Sequence, residues 1–594
     1  MPSDRLTPLD ASFLHLEDAT GPMHVGCVMV FSGDPPSYED FVDRVEERLG
    51  LVPRYRQRLA FVPLAQGRPK WVDDDEFDML YHVRATALPA PGGDPELRVL
   101  AGRLFSRVLR RDKPLWELWL VDGLGTAAPG GPDRFAVVSK THHALVDGIS
   151  GLDILSALFA PEEEASAAEG WRAQRPPSRV ELLGEALLER ALSPTELVRP
   201  LRAALRRPRQ LVEEAGAALA GVRALAWTGL RPAPSTPYNR TVGPDRRVAF
   251  VSLELGDVKA IRNALGGTVN DVVLTIAARA LRRDLQRRGA DVDVLHAFVP
   301  VSLPEGTGRA APGNEVTGMV VRLPISCPEP EVCLRRISEE TRGVKDSGQA
   351  MGAQALASLG GLAPPTLLGV GARLGARQRM VNLVITNVPG PQHALSLDGH
   401  ELLEILPMVP VGHNLAMTVG VVSYNGTMSF GVVGDFDALP DLDVIVEDLH
   451  VAAEELAQAA GVELREPARE GSAAPETPAV AEPTPNGVAS RDGREPTANG
   501  AAALAEPEPV IDPQPHVELE EELVAEFADL GAEDGAGAEL RVDEPWPNYR
   551  RMTANEITDR LAAISAEEIA IVRLYESTHR KRRDVLRATD RALR

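Results

Sequence analysis

Apolar residues recur with two different periods along the first 160 positions. Residues 26–31 and 135–141 are short apolar runs rich in β-branched side chains, a pattern typical of buried strands. Over residues 38–51 the apolar positions fall three or four apart, as on one face of a helix. Strands and helices that alternate in this way predict an α/β domain over residues 1–160.

A second α/β domain is predicted over residues 245–462. Residues 248–255, 294–301 and 380–387 have the composition of strands, and residues 270–288 have helical spacing. Residues 415–435 alternate like a pair of strands joined at Asn425-Gly426, and Asn-Gly is the preferred tip of a two-residue hairpin.

Residues 161–244 are predicted to join the two domains as a helical, arginine-rich linker. Between positions 199 and 209 there are five arginines and no acidic residue. A solvated linker helix explains this pattern, and a helix drawn to an anionic membrane surface is the alternative.

The composition changes after residue 460. Residues 461–545 contain 21 acidic and 5 basic residues with repeated Pro, Ala and Glu, and they carry −16 of the total net charge of −23. Such a segment has too little apolar surface to fold, so residues 463–545 are predicted to be a disordered acidic linker. Capping-box patterns at Thr553 and Ser565, each followed three positions later by Glu, predict a small helical hairpin over residues 546–594.

Charge and cysteine content narrow the functional classes. A net charge of −23 argues against a nucleic-acid partner, because a phosphate polymer would be repelled on average. Three cysteines with no metal-ligand spacing, together with an acidic N-terminal segment, favour a reduced, cytoplasmic setting and no bound metal. The charge-poor stretches 347–372 and 405–434 lack the roughly 20 mostly apolar residues of a membrane-spanning helix.

The strongest chemical signal is HHALVDG at positions 142–148, where a predicted strand gives way to a predicted helix. Neighbouring side chains on an extended backbone point in opposite directions, so one imidazole can face a cavity while the other packs inward. Asp147-Gly148 supplies a tight turn and a carboxylate that could cap the helix or hold an arginine. Metal binding is a competing use, but no further ligands lie nearby in the sequence.

This motif resembles HHxxxDG of the coenzyme A-dependent acyltransferase superfamily, which includes chloramphenicol acetyltransferase and peptide-synthetase condensation domains. Further strings are similar to those of the bacterial wax ester synthase/diacylglycerol acyltransferases and occur in that family's order. They are LDASFL (9–14), PMHVG (22–26), DKPLWE (112–117), TVND (268–271) and TNVPGP (386–391). Two departures, Leu303 for a common arginine and Thr386 for a serine, affect local loops only.

The resemblance implies two chloramphenicol-acetyltransferase-like α/β domains with a channel between them. It implies that acyl-coenzyme A is a substrate, that no cofactor is needed, and that His143 is the general base. His142 is expected to support the loop, and Asp147 and Gly148 to shape the turn. Asn270 is either an oxyanion donor or a helix cap.

The implied reaction transfers a long-chain acyl group to diacylglycerol or to a long-chain alcohol. Two alternatives stay open: acyl transfer from a carrier-protein arm, and a non-catalytic lipid-droplet scaffold. The basic C-terminal residues suggest peripheral association with lipid droplets or the inner membrane surface.

Overall fold

The computed structural model describes residues 5–126, 131–145, 158–159, 173–192, 232–301, 317–346 and 380–467, and near the C-terminus residues 545–546, 549, 552, 554–561, 566–576 and 582–592. Contacts divide the chain into two compact units. The first contains the described residues up to 467, and the second contains the C-terminal helices. Elements are numbered below in chain order.

The first unit contains two six-stranded sheets, and the first of these carries the histidine motif. Its strands lie in the spatial order β11 (Ser396–Leu397), β12 (His400–Met408), β1 (His24–Ser32), β6 (Arg134–His142), β5 (Trp116–Asp122) and β4 (Val83–Ala87). All neighbours are antiparallel except β4 and β5. All nine residues of β6 are buried, which agrees with the apolar run at 135–141. A short separate hairpin pairs β2 (Gln57–Ala60) with β3 (Lys70–Asp73).

The second sheet is built from residues after 245. Its order is β7 (Arg246–Glu254), β14 (Thr427–Asp435), β13 (Met417–Tyr424), β10 (Leu383–Pro389), β8 (Val294–Val301) and β9 (Thr317–Pro324). Strand β10 is parallel to both of its neighbours, β8 and β13, and the other pairs are antiparallel. At the tip of the β13–β14 hairpin, Asn425 and Gly426 have φ of 43° and 83°, as a type I′ turn requires.

Nine α-helices are described in the first unit. They are α1 (Pro8–Leu16), α2 (Tyr38–Arg48), α3 (Met79–His82), α4 (Asp94–Phe105), α5 (Arg179–Leu192), α6 (Leu255–Leu265), α7 (Val269–Arg287), α8 (Pro330–Asp346) and α9 (Leu442–Ala460). Helices α2 and α7 confirm the helical spacing at 38–51 and 270–288. Among the described helices none is by itself long and apolar enough to cross a membrane; only α6 and α7, which meet at 98°, reach that length and composition as a pair.

Three predicted features lie wholly or largely outside the described residues. They are the arginine-rich stretch 199–209, the acidic linker, and the helix expected after the histidine motif, at 149–159.

Strands from the second half of the chain complete the first sheet. Strand β12 pairs with β1 in antiparallel register, with Met408 opposite Gly26. Next to it, a Cβ atom on Gly431 of β14 would lie 1.8 Å from the carbonyl oxygen of Pro407, so the two sheets approach each other backbone to backbone at this glycine. The boundary near residue 245 therefore separates two halves of the sequence, but it does not separate the two sheets, because the first sheet contains strands from both halves.

The C-terminal unit contains three helices where the sequence suggested a hairpin. They are α10 (Ala554–Leu561), α11 (Ala566–Tyr575) and α12 (Arg583–Ala592). The first two begin one residue after Thr553 and Ser565, the first residues of the predicted capping boxes. The third starts at Arg583, and its Val585 is buried in one apolar core with Ile557 and Tyr575. The buried carboxylate of Glu576 accepts hydrogen bonds from Tyr549 at 2.7 Å and from Arg582 Nε at 2.9 Å.

The close approach at Gly431 generates a stability prediction. Gly431→Ala should lower the free energy of unfolding by about 1–3 kcal/mol or more, because the added methyl overlaps the Pro407 carbonyl. Gly343→Ala on α8 is the matched control. Outside its own helix, no atom of the described residues lies within 4 Å of the new methyl, so this variant should be unchanged or up to about 1 kcal/mol more stable. Thermal and urea unfolding of both variants would check this, and equal stability of the two would contradict the packing described.

Candidate active site

The two adjacent histidines stand at the end of β6. The backbone N–H of His142 donates to the carbonyl oxygen of Leu115 at 2.9 Å, and that of His143 donates to the carbonyl oxygen of Met23 at 2.8 Å. The chain then turns, since Leu145 N–H donates to the His142 carbonyl at 2.8 Å. His142 is fully buried, whereas His143 is half-buried. The turn therefore separates a fully buried histidine from a partly exposed one.

A backbone hydrogen bond to the His142 ring defines its neutral tautomer. Its Nδ1 accepts the backbone N–H of Ala144 at 3.0 Å, so in the neutral ring the proton is on Nε2. Nε2 lies 3.4 Å from Oε1 of Glu17. The ring is thus held between a backbone amide and a carboxylate, which suits a supporting role better than direct contact with substrate.

Glu17 follows the last residue of α1, and its side chain is only 1% exposed. Its Oε2 accepts from Arg111 at 3.0 and 3.1 Å, and its Oε1 accepts the backbone N–H of Met23 at 3.2 Å. Burial by itself would raise the pKa of Glu17, but the nearby His142 ring, the hydrogen bond from the Met23 backbone and the charge of Arg111 lower the pKa to about 2. Glu17 is therefore ionised at neutral pH.

A stacking contact orients the ring of His143. It stacks on Phe13 of α1 with ring centroids 4.0 Å apart and planes 18° from parallel. Burial lowers the pKa of His143 to about 4, and His142 acts in the same direction. The ring is therefore neutral at neutral pH, and a neutral imidazole has one ring nitrogen that can accept a proton.

Further polar residues are buried beneath this pair on the same face of the sheet. His24 of β1 lies opposite His142 in the ladder, and its Nε2 is 2.6 Å from the carbonyl oxygen of Phe105. Burial and the charge of Lys140 lower the pKa of His24 to about 3. The Lys140 ammonium contacts Glu117 at 3.2 Å. His24 is thus a neutral structural histidine.

His82 and Trp116 also belong to the core. The His82 ring stacks on Trp116 at 4.5 Å and on Phe77 at 5.2 Å. Its Nδ1 bonds the carbonyl oxygen of Trp116 at 2.8 Å. Within the described ranges, no three His, Cys, Asp or Glu side chains come together as a metal site would require.

The remaining predicted site residues have different outcomes. Asp147 and Gly148 lie outside the described residues. Asn270 is in the first turn of α7, but the cap is formed by Thr268 and Asp271, whose side chains and backbones bond each other reciprocally. The alternative role of Asn270 as a helix cap is therefore wrong. Its oxyanion role stays a prediction; the structure brings to it the side-chain amide of Asn387 in TNVPGP, at 3.5 Å.

Comparison with known proteins identifies the family. The family model described as the wax ester synthase/diacylglycerol acyltransferase catalytic domain matches residues 6–273, and the model of the family's C-terminal domain matches residues 312–457. The chain belongs to this family. A putative diacylglycerol O-acyltransferase of Mycobacterium tuberculosis strain CDC 1551 is 32% identical over 464 residues, which is 76% of this chain and 90% of that protein.

Two more similarities come from the same family. A probable diacylglycerol O-acyltransferase of M. tuberculosis strain H37Rv is 33% identical over 77% of this chain and 100% of its own length. The solved wax ester synthase/diacylglycerol acyltransferase of Marinobacter aquaeolei VT8 matches with a TM-score of 0.54 and 28% identity, covering 77% of this chain and 100% of that one. The chain is therefore an acyltransferase of the family, and the expected two-domain α/β fold is confirmed.

Several residues at the site were not predicted from the sequence. Glu17 lies three positions after LDASFL, and Arg111 directly precedes DKPLWE, so each is a charged residue next to an apolar motif. A charged residue so close to a family motif could have been selected as a candidate from the sequence. The pairing of Glu17 with Arg111 could not, because 94 positions separate the two residues in the chain. Phe13 and Asn387 lie within quoted motifs, yet only the fold shows which ring and which amide they contact.

The Glu17 carboxylate generates a prediction for this site. Glu17→Gln keeps the shape of the side chain but removes the charge that faces Arg111. Loss of a charged partner in a buried network costs about 1–3 kcal/mol of stability. We expect a lower melting temperature and a roughly tenfold lower turnover number, because the ring that Glu17 holds is displaced.

Glu47→Gln is the matched control, since that side chain is 65% exposed and lies 3.7 Å from Arg44. Calorimetry and initial rates with acyl-coenzyme A would test both variants. A Glu17→Gln protein that matches the control in stability and turnover would remove Glu17 from the site.

Proposed function

We propose that this enzyme transfers a long-chain fatty acyl group from acyl-coenzyme A to a lipid hydroxyl. Diacylglycerol is the preferred acceptor, giving triacylglycerol, and a long-chain alcohol, giving a wax ester, is the second. The names of the relatives and of the Marinobacter structure support both acceptors. The observation that carries the proposal is the neutral, half-buried His143 ring, held by Met23 and Phe13.

The proposed chemistry needs one base and no acyl-enzyme. Nε2 of His143 accepts the proton of the acceptor hydroxyl while the oxygen forms a bond to the thioester carbonyl carbon. The tetrahedral intermediate then breaks its carbon–sulfur bond, and the same nitrogen returns the proton to the departing thiolate. A pKa lowered by burial keeps the ring neutral, so that it is ready to accept the proton at neutral pH.

The other predicted residues have supporting roles in this proposal. His142 and Glu17 fix the turn that carries His143, and Asp147 and Gly148 are proposed to shape its continuation. The side-chain amide of Asn270 is the candidate donor to the oxyanion, with Asn387 orienting it. The thioester already activates the acyl group, so the proposal includes no cofactor.

One assay tests the base and the acceptor together. Labelled acyl-coenzyme A is offered to the purified enzyme with diacylglycerol and a long-chain alcohol in competition, without any carrier protein, and the products are separated. We expect triacylglycerol to exceed wax ester. His143→Ala should lower the formation of both by roughly 10²–10⁴-fold, the usual contribution of a positioned base.

His450→Ala is the control, because that histidine is exposed on α9. Near-normal turnover by a folded His143→Ala enzyme would contradict the mechanism. Turnover that appears only with an acylated carrier protein would favour the condensation-type alternative, and lipid binding without thiol release would favour a scaffold.

We also propose that the enzyme associates peripherally with lipid droplets or the inner membrane surface through its C-terminal unit. Residues 546–594 contain 11 basic and 7 acidic residues, in contrast to the acidic chain as a whole. Arg587 and Arg591 are exposed on α12. Exposed cations of this kind are attracted to anionic lipid headgroups.

Deletion of residues 468–594 tests this association. The cut spares Arg465, whose guanidinium bonds the buried Asp257 of α6 at 2.8 Å. Turnover with detergent-dispersed substrates should be retained, while recovery in the lipid-droplet fraction should fall several-fold, since the cationic unit is removed. Unchanged droplet recovery after the deletion would contradict the proposed role of the C-terminal unit.

A further inference from the structure

Residues 17–23, called here the 17–23 loop, contact both histidines of the motif. At one end of the loop, Glu17 faces Nε2 of His142 at 3.4 Å. At the other end, the carbonyl oxygen of Met23 accepts the backbone N–H of His143 at 2.8 Å. Any shift of this loop therefore moves the two rings.

Hydrogen bonds within the loop close a turn at Asp18. Oδ1 of Asp18 accepts the backbone N–H groups of Thr20 at 2.8 Å and Gly21 at 3.0 Å, and the Thr20 hydroxyl at 2.8 Å. These bonds close a turn in which an aspartate replaces a backbone acceptor. They determine the shape of the turn, but they do not determine where the turn lies against the second half of the chain.

Two residues from the second half of the chain hold the loop from outside. His413, between β12 and β13, has its Nε2 2.7 Å from the carbonyl oxygen of Leu16, so this nitrogen carries a proton and donates it. The His413 ring lies against Gly21, where a Cβ atom would be 3.0 Å from its Cε1. The guanidinium of Arg246 on β7 donates to the carbonyl oxygen of Thr20.

We propose that His413 is a positioning residue, which holds the 17–23 loop against the second half of the chain and thereby orients His142 and His143. This inference rests on the proposed function of His143, because His413 would affect the reaction only by changing the position of the His143 ring.

His413 is partly exposed, so its effect on the placement of the loop can be measured apart from any effect on the stability of the core. Its side chain is 22% exposed, and its ring nitrogens face the Leu16 carbonyl and, at 3.8 Å, the exposed carboxylate of Asp18. Truncation should therefore leave the core intact and change mainly the placement of the loop.

Three substitutions of His413 separate the contributions of its atoms. The amide nitrogen of glutamine can reach the position of Nε2, whereas the shorter asparagine reaches only that of Nδ1. His413→Gln should keep at least half of the wild-type kcat. His413→Ala and His413→Asn should lower kcat about tenfold, with KM for acyl-coenzyme A changed less than about twofold, because a displaced base affects the chemical step. His450→Gln on α9 is the control.

A second variant tests the contact with Gly21. Gly21→Ala should lower kcat a few-fold in the wild-type background, because the new methyl displaces the His413 ring. In the His413→Ala background it should cost nothing further, since the ring is absent. Such non-additivity identifies a direct interaction.

The outcomes distinguish this inference from the proposed function. If His143→Ala abolishes turnover while His413→Ala and His413→Asn match the wild type, the positioning role is wrong and the function stands. Equal rescue by asparagine and glutamine, additive effects with Gly21→Ala, or losses explained by less folded protein in circular dichroism would also overturn it. Full turnover by His143→Ala would overturn both.

Discussion

A carboxylate excluded from water constrains the whole neighbourhood of the active site. Glu17 is ionised in the interior, and a buried charge is tolerated only when its lone pairs are occupied by donors. Its partners come from three segments: the guanidinium of Arg111 and the backbone N–H of Met23 donate to it, and the ring of His142 lies 3.4 Å away. Helix α1, strand β1 and strand β6 are therefore tied together at one point, and His143 directly follows it.

The environment differentiates histidines that are chemically identical. His24 and His82 are neutral because they are buried, and each bonds a backbone carbonyl in the core. His142 is buried too, but it has a carboxylate in front of Nε2. His143 combines a burial-lowered pKa with partial exposure, and this combination suits a base that must meet a substrate. The roles thus follow from packing and hydrogen bonds and not from residue type.

The interlocking of the two halves gives the site its second support. Strand β12 completes the first sheet beside β1, and the residues that follow it include His413, which bonds the end of α1. The close contact at Gly431 requires the backbones of both sheets to meet without a side chain between them. The motif lies in the first half of the chain, yet its surroundings are built from both. The C-terminal unit, in contrast, has its own core and its own buried pair, Glu576 with Arg582.

The sequence by itself determined the local elements and the family. Apolar periodicity located β6, β8, α2 and α7, the Asn-Gly pair located the hairpin tip, and the ordered motifs identified the acyltransferase family and directed attention to His143. These features are predictable because each depends on neighbours within a few positions. Only the tertiary structure decided the partners of Glu17, the meeting of Asn270 with Asn387, the entry of β12 into the first sheet and the third C-terminal helix. Each of these depends on which distant segments pack together in the interior. Periodicity along the chain indicates that a residue is buried, but it does not indicate which residues it packs against.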